Sequence, residues 1–450
     1  MAQNSGWNRR DFLRNAGIAV VAGSASNPAP ASARLQSSDR YDFDTPLNRF
    51  GTDSIKYDRQ IRLYGKDSIQ VGMGVADMDF RTAPAITKAL SDRMQHENWG
   101  YLDLPSSFSE SIVSWNKRRY GVDIDPDSLV ITTGVDAGLV SALKTFSPPG
   151  SKVLLNTPTY DGFYSDLAFT GTVPEENPLK VVDGRYSLDF DDFERRISKK
   201  TKAFILCNPH NPTGNCWSSA DLMRLGEICL RHRVVVFADE IHCDFVTNGN
   251  KYTPFASLPN KAVVNNSITF KSASKSFNLA AMRCAYFYSD NADYVARLKA
   301  NSRSDVISTP GIIATRAAYT SGDTWLNECV AYVDGNHDYL ERFVRTNIPT
   351  VKVVKPQGTY LVWIDVSQVS DRINAKQLAA EANKKQPVSS KPLTPEQMVE
   401  RYFVTNARVQ MLAGSWCGYG GVRHVRMNVA TSRRTLELAL TNIANALRPS

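Results

Sequence analysis

Short apolar runs alternate with helix-like stretches between about residues 128 and 290. The runs LVITTG, KVLLNTP, KAFILCNP, VVVFADEI, SITFKSAS and RCAYFYSD are rich in β-branched and aromatic residues. Several are apolar throughout rather than at alternate positions, which is typical of parallel strands covered on both faces. The pattern predicts an open α/β sheet, in which ligands bind at the carboxyl ends of the strands.

The pattern changes on both sides of this region. Residues 34–70 are polar and tyrosine-rich with no clear period, and the run VGMGVADMDF follows at 71–80. Beyond residue 311, long helical patterns surround an alternating run at 354–366, which predicts a half-buried strand. We therefore predict four regions: an N-terminal segment at 1–33, an arm with part of a small domain at 34–80, a large ligand-binding domain at 81–325 and a small C-terminal α+β domain at 326–450.

The first of these regions has the features of a targeting segment. Arg9 and Arg10 precede a small-residue apolar run that leads to Ala31, Ser32 and Ala33. This order resembles a twin-arginine export signal cleaved after Ala33, and it implies passage through the twin-arginine translocase to the periplasm or the medium. Because that route carries folded proteins, the signal is consistent with a cofactor that binds before export. The alternative is a disordered basic tail.

Composition and charge exclude some classes of protein. The 450 residues are 42% hydrophobic and 22% charged, and the formal net charge is +8. Without residues 1–33 the chain keeps 50 basic and 44 acidic side chains, a net charge of +6 that is not gathered into a Lys/Arg block. This gives no indication of nucleic-acid binding. No run after residue 33 approaches the ~20 apolar residues of a membrane span, so we expect none in the mature chain.

Seven cysteines are spread along the chain, and none forms a C-x-x-C pair. The spacing argues against a zinc site, and we expect no metal. Several lie in apolar runs, as buried thiols do. The sequence leaves open whether any of them form a disulfide.

The stretch SASKSFNLAAMRCA, at 272–285, contains the first candidate chemistry. Ser272 lies three residues before Lys275, and Arg283 lies eight residues after it. An amine beside a hydroxyl and a guanidinium suits a phosphorylated aldehyde cofactor, held as a Schiff base by the lysine and through its phosphate by the other two. The alternative is a surface lysine in a serine-rich loop.

Two polar residues follow other predicted strands. Asp239 ends the apolar run VVVFADE, where a carboxylate is costly without a cationic partner; a protonated pyridine nitrogen would serve. Asn211 lies in the turn NPHNPTGN and could donate to the phenolic oxygen of such a ring. A helix-capping aspartate and an ordinary turn asparagine are the alternatives.

Further candidates lie at a predicted helix start and on two other segments. Gly134, Val135 and Asp136 open a helix after a strand, and free amides there bind phosphate. Tyr160 could stack on a flat heterocycle, unless it is a core aromatic. Arg426 is charged within the apolar strand HVRMN, which predicts either a substrate carboxylate or an internal Asp or Glu as its partner.

Together these residues resemble the fold type I pyridoxal-phosphate enzymes of the class I/II aminotransferase superfamily. The spacing supports this, with 28 residues between Asn211 and Asp239 and 36 between Asp239 and Lys275. The resemblance covers about residues 45–448. It implies the aspartate aminotransferase-like α/β fold, with a mostly parallel seven-stranded sheet in the large domain and a smaller α+β domain.

The resemblance assigns a role to each matched position. Lys275 matches the Schiff-base lysine, Asp239 matches the partner of the pyridinium nitrogen, and Asn211 matches the hydrogen-bond donor to the phenolate. Tyr160 matches the ring that stacks on the cofactor, and Arg426 matches the residue that binds the substrate α-carboxylate. The phosphate ligands are matched by Ser272, Arg283 and the amides at Gly134, Val135 and Asp136. Tyr101, in NWGYLDLP, is similar to the tyrosine that reaches the phosphate of a neighbouring subunit. The resemblance therefore implies a homodimer with shared sites.

Within the superfamily, VADMDF, WGY and DEIHCDF resemble the cystathionine β-lyase branch. Three positions depart from the patterns common in these proteins. His242 stands where aspartate aminotransferases have a tyrosine, and Cys284 stands where an aliphatic residue or alanine is common. Gly74 stands where members of the branch often have tryptophan, close to where the substrate should enter.

The branch implies β-elimination from a sulfur-containing amino acid, which gives ammonia, pyruvate and a thiol. In every candidate reaction the substrate amine displaces Lys275, and the freed lysine removes the Cα proton. An aminotransferase is the main alternative because the same residues serve both reactions. Racemisation or epimerisation and a non-enzymatic regulator are further alternatives. The set of Lys275, Asp239, Asn211 and Arg283 argues against a regulator.

Overall fold

Strands and helices alternate along residues 41–302, 307–387 and 389–448, which are the parts of the chain that the computed structural model describes. The predicted export signal lies outside these residues. The strands are β1 (Val71–Gly72), β2 (Val130–Thr132), β3 (Lys152–Thr157), β4 (Val173–Pro178), β5 (Lys180–Val182), β6 (Arg185–Ser187), β7 (Thr201–Cys207), β8 (Val235–Asp239), β9 (Ser267–Lys271), β10 (Ala285–Tyr288), β11 (Lys352–Val353), β12 (Leu361–Asp365), β13 (Val409–Gln410), β14 (Leu412–Ala413) and β15 (His424–Asn428).

The helices separate these strands and cover both sheets. They are α1 (Asp58–Tyr64), α2 (Pro84–Met94), α3 (Ser106–Tyr120), α4 (Val135–Phe146), α5 (Asp161–Thr170), α6 (Phe190–Arg196), α7 (Ser219–Arg231), α8 (Lys261–Asn265), α9 (Ala273–Ser276), α10 (Ala292–Asn301), α11 (Thr309–Ser321), α12 (Asp323–Asn347), α13 (Ser367–Arg372), α14 (Ala375–Lys384), α15 (Pro395–Ala407) and α16 (Arg433–Ala446). Within the described ranges, none of them has both the length and the apolar content that a membrane crossing requires.

The largest sheet has seven strands in the order β2-β10-β9-β8-β7-β3-β4. Strands β9, β8, β7, β3 and β4 are parallel, and β10 is antiparallel to both of its neighbours. The predicted mostly parallel seven-stranded α/β sheet is therefore confirmed. All six predicted runs are strands, and β4 is a seventh that the apolar pattern does not reveal because it contains Glu175 and Glu176.

The central strands are apolar throughout because each face of the sheet has its own core. Leu155, Ile205 and Phe237 pack on one face. Their neighbours Leu154, Phe204 and Val236 pack on the other. Since successive strand residues point to opposite faces, a strand buried on both sides cannot show the alternating pattern.

A second sheet of four antiparallel strands has the order β11-β12-β15-β14. In its register Trp363 of β12 lies opposite Arg426 of β15. The short strand β1 pairs in parallel with β13, which joins the region after the arm to the C-terminal part of the chain. The domain boundaries predicted at residues 80 and 325 stay predictions.

The strand directions bring distant parts of the chain to one edge of the large sheet. Strands β3, β7, β8 and β9 run the same way. Strand β2 also runs that way, because the antiparallel β10 lies between β2 and β9. The segments that follow these five strands therefore meet at one edge, where ligands bind in open α/β sheets.

Candidate active site

The candidate lysine lies in a short helix at this edge. Ser272 precedes α9, and its hydroxyl accepts a hydrogen bond from the Ser274 N–H at 3.0 Å. This cap begins the helix and fixes the direction of Lys275, whose Nζ donates to the Ala76 carbonyl oxygen at 2.9 Å. Burial lowers the pKa of the amine, and the charge of Arg426 lowers it further.

Asp239 ends β8 between Cys207 of β7 and Phe270 of β9. It is 5% exposed, and one of its oxygens accepts the Ile241 N–H at 3.1 Å. It thus caps a turn at 241–244 rather than the helix of the alternative interpretation. Within the described residues it forms no ion pair. Burial raises its pKa to about 7, and the nearby charge of Asp136 acts in the same direction.

Arg426 joins the two sheets. It is 4% exposed, and its two terminal nitrogens donate to Asn211 Oδ1 and to the Gly74 carbonyl oxygen, each at 3.0 Å. The alternative of an internal Asp or Glu partner is wrong, because no ion pair of Arg426 is present in the described parts of the chain. Its Nε is buried and has no hydrogen-bond partner there.

This contact also orients Asn211. Its side-chain oxygen accepts from Arg426, so its amide nitrogen is the group left to donate to a ligand. Gly74 lies against the opposite end of the guanidinium. A Cβ atom at Gly74 would lie 2.5 Å from Gln410 Oε1, so Gln410 fills the space that a larger residue would need.

The predicted phosphate ligands lie at the start of α4 and beside it. Gly134 precedes this helix, and Val135 and Asp136 form its first turn, where backbone N–H groups are not used within the helix. Arg283 is exposed, and its charge acts on Asp136. Burial raises the pKa of Asp136, and the positive charge of Lys275 opposes this shift.

Ser272 is less free than predicted. Its hydroxyl donates to the Cys284 carbonyl oxygen at 2.7 Å and accepts the helix-capping N–H. In this arrangement its one O–H is already used, so a phosphate contact would need a different rotamer. Its role as a phosphate ligand stays a prediction.

Two rings line the same region. Tyr160 precedes α5 and packs edge-on against Phe163, with ring centroids 5.3 Å apart. A Cβ atom at Gly162 would lie 2.3 Å from the Tyr160 ring, so glycine leaves room for this position of the tyrosine. His242 is 3% exposed and its Nδ1 is buried without a partner in the described chain. Burial lowers its pKa, as do the charges of Lys275 and Arg426, so this imidazole is neutral at neutral pH.

Tyr101 lies apart from the other predicted residues. Its side chain is fully exposed, and Trp99 and Leu102 beside it are also exposed. It forms no side-chain hydrogen bond or ring contact within the described chain. Its predicted role depends on a second copy of the chain.

Several residues at the site were not predicted. The Ala76 carbonyl oxygen accepts from Tyr360 as well as from Lys275, and Asn428 donates to the carbonyl oxygens of Val75 and Asp77. Asn428 ends the same apolar strand as Arg426, so a polar residue within HVRMN was the available signal. All seven cysteines are unpaired.

The residues present fit pyridoxal 5'-phosphate. Lys275 offers a buried amine of lowered pKa, and Asp239 offers a buried carboxylate without a cation beside it. Asn211 offers an amide donor, and the start of α4 offers backbone donors for an anion. These groups match the aldehyde, ring nitrogen, phenolic oxygen and phosphate of that cofactor.

The raised pKa of Asp239 leads to a prediction about stability. Between about pH 4, the ordinary value, and pH 7 the folded chain binds this proton more tightly than the unfolded chain, so the free energy of unfolding falls as pH rises. Asp239→Asn removes this loss. Without added cofactor, we expect the variant to exceed the wild type by about 1 kcal/mol or more at pH 8, and by much less at pH 5.

Urea unfolding at the two pH values measures this difference. Asp191→Asn is the control, because the Asp191 side chain is 88% exposed and should change stability by less than about 0.5 kcal/mol. A difference between Asp239→Asn and wild type that is the same at both pH values would contradict the prediction.

Comparison with known proteins places this site in a family. The profile described as "Aminotransferase class I and II" matches residues 68–443. The chain is 35% identical to cystathionine beta-lyase PatB of Bacillus subtilis, over 90% of this chain and 99% of that protein. It is 28% identical to protein MalY of Escherichia coli, over 91% and 99%.

Solved structures support the same family assignment. The PLP-bound C-S lyase from Staphylococcus hominis superposes with a TM-score of 0.80 at 28% identity, covering 92% of this chain and 99% of that one. The predicted fold type and family are confirmed. The chain therefore belongs to the aminotransferase class I and II family of pyridoxal-phosphate-dependent enzymes, and within it to the cystathionine β-lyase, or carbon–sulfur lyase, branch.

Proposed function

We propose that this chain catalyses β-elimination on a sulfur-containing amino acid such as L-cystathionine or an S-alkyl cysteine. The observation that carries the proposal is the convergence of Lys275, Asp239, Asn211 and Arg426 at one sheet edge, in a chain that aligns with a cystathionine beta-lyase along 99% of that protein's length.

The substrate's α-carboxylate binds to Arg426. The buried guanidinium has an unpartnered Nε and two terminal nitrogens that now donate to neutral oxygens. A carboxylate is a stronger acceptor than either an amide or a backbone carbonyl, and it can accept two of these N–H groups at once.

The cofactor is held by the groups described above. Lys275 would hold its aldehyde carbon, Asp239 would keep its ring nitrogen protonated, and Asn211 would donate to its phenolic oxygen. The start of α4 and Arg283 would hold its phosphate, joined by Ser272 if that hydroxyl turns away from Cys284. When bound, pyridoxal 5'-phosphate supplies an electron-withdrawing ring that accepts the electron pair left at Cα. A cation beside Asp239 also favours the ionised carboxylate, opposing the effect of burial.

Lys275 is the group that removes the proton from the substrate Cα. A lowered pKa increases the fraction of neutral amine near neutral pH, and only the neutral amine can remove the Cα proton. Nζ would then carry the proton and could return it to the thiolate that leaves from Cβ, which gives the thiol and restores the neutral amine. Hydrolysis of the remaining three-carbon fragment gives ammonia and pyruvate.

Transamination is the second candidate, since the matching family profile is named for aminotransferases. Lys275, Asp239 and Arg426 would act in the same way up to removal of the Cα proton. The reactions differ in where Lys275 returns the proton. A keto acid and an aminated cofactor would then replace pyruvate and the thiol.

We expect the purified protein to release pyruvate and a thiol from L-cystathionine with no added keto acid. Lys275→Ala should lose the yellow absorbance of the bound cofactor and at least about a thousandfold in kcat/KM, because it removes both the covalent anchor and the base. Coupled pyruvate detection and absorbance spectra measure both effects. Lys88→Ala is the control, since the Lys88 side chain is 76% exposed. Amino transfer that depends on a keto acid, without pyruvate, would rule out the lyase.

We also infer that two copies form a homodimer through the surface around Tyr101. Met94, Trp99, Leu102 and Leu104 are each at least 40% exposed, and Tyr101 is fully exposed. A cluster of large exposed apolar side chains is typical of an interface between subunits.

Sedimentation tests the dimer. The wild type should sediment as a dimer at micromolar concentration, and Leu102→Asp should raise the dimer dissociation constant at least about tenfold by placing a charge in an apolar contact. Leu438→Asp is a matched control, because Leu438 is 39% exposed and Leu102 is 40% exposed. Equal effects of the two variants, or a monomeric wild type, would refute this interface.

We further propose that the precursor is exported through the twin-arginine pathway. The support is the sequence around Arg9 and Arg10 and the small-residue triplet that ends at Ala33. Replacing both arginines with lysine keeps the charge but removes the recognised pair. We expect the precursor of this variant to accumulate in the cytoplasm, as detected by immunoblotting of cell fractions. Unchanged accumulation outside the cytoplasm would argue against the signal.

A further inference from the structure

The segment 74–78 has no regular backbone partner. It follows β1 as an irregular stretch, so its carbonyl oxygens are not used in a sheet or a helix. Side chains satisfy all five. The donors are Arg426 to Gly74 (3.0 Å), Asn428 to Val75 (2.7 Å), Lys275 and Tyr360 to Ala76 (2.9 and 3.0 Å), Lys56 and Asn428 to Asp77 (3.0 and 2.6 Å), and Asn278 and Arg49 to Met78 (2.9 and 2.8 Å).

One end of this segment contacts the candidate site. The carbonyl oxygens of Gly74 and Ala76 face Arg426 and Lys275, the residues assigned to substrate binding and proton transfer. The Ala76 contact requires an amine with a hydrogen to donate. It therefore holds Nζ in one direction when the lysine is free of other bonds.

The other end is held by ions from the arm. We call Arg49, Lys56, Asp77 and Asp79 the arm ion cluster. Lys56 is completely buried, and its Nζ lies 2.8 Å from Asp79 Oδ2. Arg49 lies 2.9 Å from Asp79 Oδ1 and 2.7 Å from Asp77 Oδ2. Two positive and two negative groups balance. Asp77 lies within segment 74–78, Asp79 directly follows it, and Lys56 and Arg49 each donate to one of its carbonyl oxygens.

Such a cluster is a costly way to stabilise a fold. Removing charges from water often costs as much as their attraction returns, so an apolar cluster of the same volume would serve stability as well. Charged groups with fixed hydrogen bonds do, however, define one geometry. Lys56 illustrates this, because a single ammonium bonds both the Asp79 carboxylate and the Asp77 carbonyl oxygen, next to Ala76.

We propose that the arm ion cluster is a positioning device for Lys275: Lys56 and Arg49 hold segment 74–78 so that the Ala76 carbonyl oxygen receives the lysine amine. The importance of this for catalysis rests on the proposed function. The positioning itself is a property of the chain and is measurable without cofactor or substrate.

The test is the reactivity of Lys275 in the full chain prepared without pyridoxal 5'-phosphate. Trace acetylation with acetic anhydride across a pH series, read by fragment-ion mass spectrometry, gives each lysine a plateau rate and a midpoint pH. Lys271 is the internal control, because it is 2% exposed and lies four residues before Lys275. The charged and titratable groups around Lys275 are Arg426 on β15, Asp136 on α4, Asp239 on β8, His242 and Asp77.

We expect Lys56→Met to raise the plateau rate of Lys275 about tenfold, which corresponds to one lost hydrogen bond of ordinary strength, without the same rise at Lys271. Lys88→Met, which breaks an exposed lysine–aspartate pair on α2, should change neither rate. An unchanged Lys275 rate in folded Lys56→Met, or an equal rise at Lys271, overturns the proposal.

A second variant tests the positioning of Lys275 if Lys56→Met does not fold. Asp77→Asn keeps the shape of a side chain that is 24% exposed, and it removes the charge that lies 2.7 Å from Arg49 and helps to hold segment 74–78. The plateau rate of Lys275 should rise severalfold in this variant as well, without the same rise at Lys271. An unchanged Lys275 rate in folded Asp77→Asn, or an equal rise at Lys271, overturns the proposal. Absence of lyase activity with these rate changes intact would instead refute only the proposed function.

Discussion

The buried guanidinium of Arg426 connects parts of the chain that are far apart in sequence. It lies on a strand of the four-stranded sheet and donates to Asn211 beyond β7 and to Gly74 after β1. Burying a charge is costly unless most of its donors find oxygens, and the two terminal nitrogens of Arg426 do so only because both segments approach it. The relative placement of the two sheets at the site follows from that requirement.

The same principle explains the chemistry available at the sheet edge. Lys275 and Asp239 are each shifted toward their neutral forms by burial, and neither has an oppositely charged partner at hydrogen-bond distance in the described chain. The protein thus keeps reactive groups in a low-dielectric environment, while side chains such as Arg426 and Asn428 satisfy the carbonyl oxygens of the neighbouring backbone. The ionic contacts that do form are placed one layer away, at Asp77 and Asp79.

Much of the fold is predictable because it depends on local pattern. Continuous apolar runs reveal β3, β7, β8 and β9, and the residues that follow parallel strands must meet at one edge. Lys275, Asp239 and Asn211 are predictable for the same reason. The six runs also include the reversed strand β10, but no local signal marks its direction, since an antiparallel strand between parallel ones is as apolar as its neighbours.

The features that the sequence does not predict depend on contacts between residues that are far apart in the chain. Lys56 lies in a polar stretch without periodicity, and nothing in its surroundings indicates complete burial against Asp79. The use of the Ser272 hydroxyl on Cys284 depends on how the chain returns in β10. Tyr101 is predicted from the sequence, but within one chain its side chain faces solvent. A role for it requires a second copy of the chain.

Two glycines before the site differ in how freely the chain can change there. At Gly72 a Cβ atom would lie 2.3 Å from the backbone oxygen of Lys56, which no side-chain rearrangement relieves. At Gly74 the obstacle is the end of the Gln410 side chain, which a second substitution can remove. A larger residue at position 72 would therefore require the backbone to move, whereas at position 74 a shift or a replacement of the Gln410 side chain is enough. We therefore expect substitutions at positions 74 and 410 of this chain to be coupled, whereas the path of the backbone alone restricts position 72.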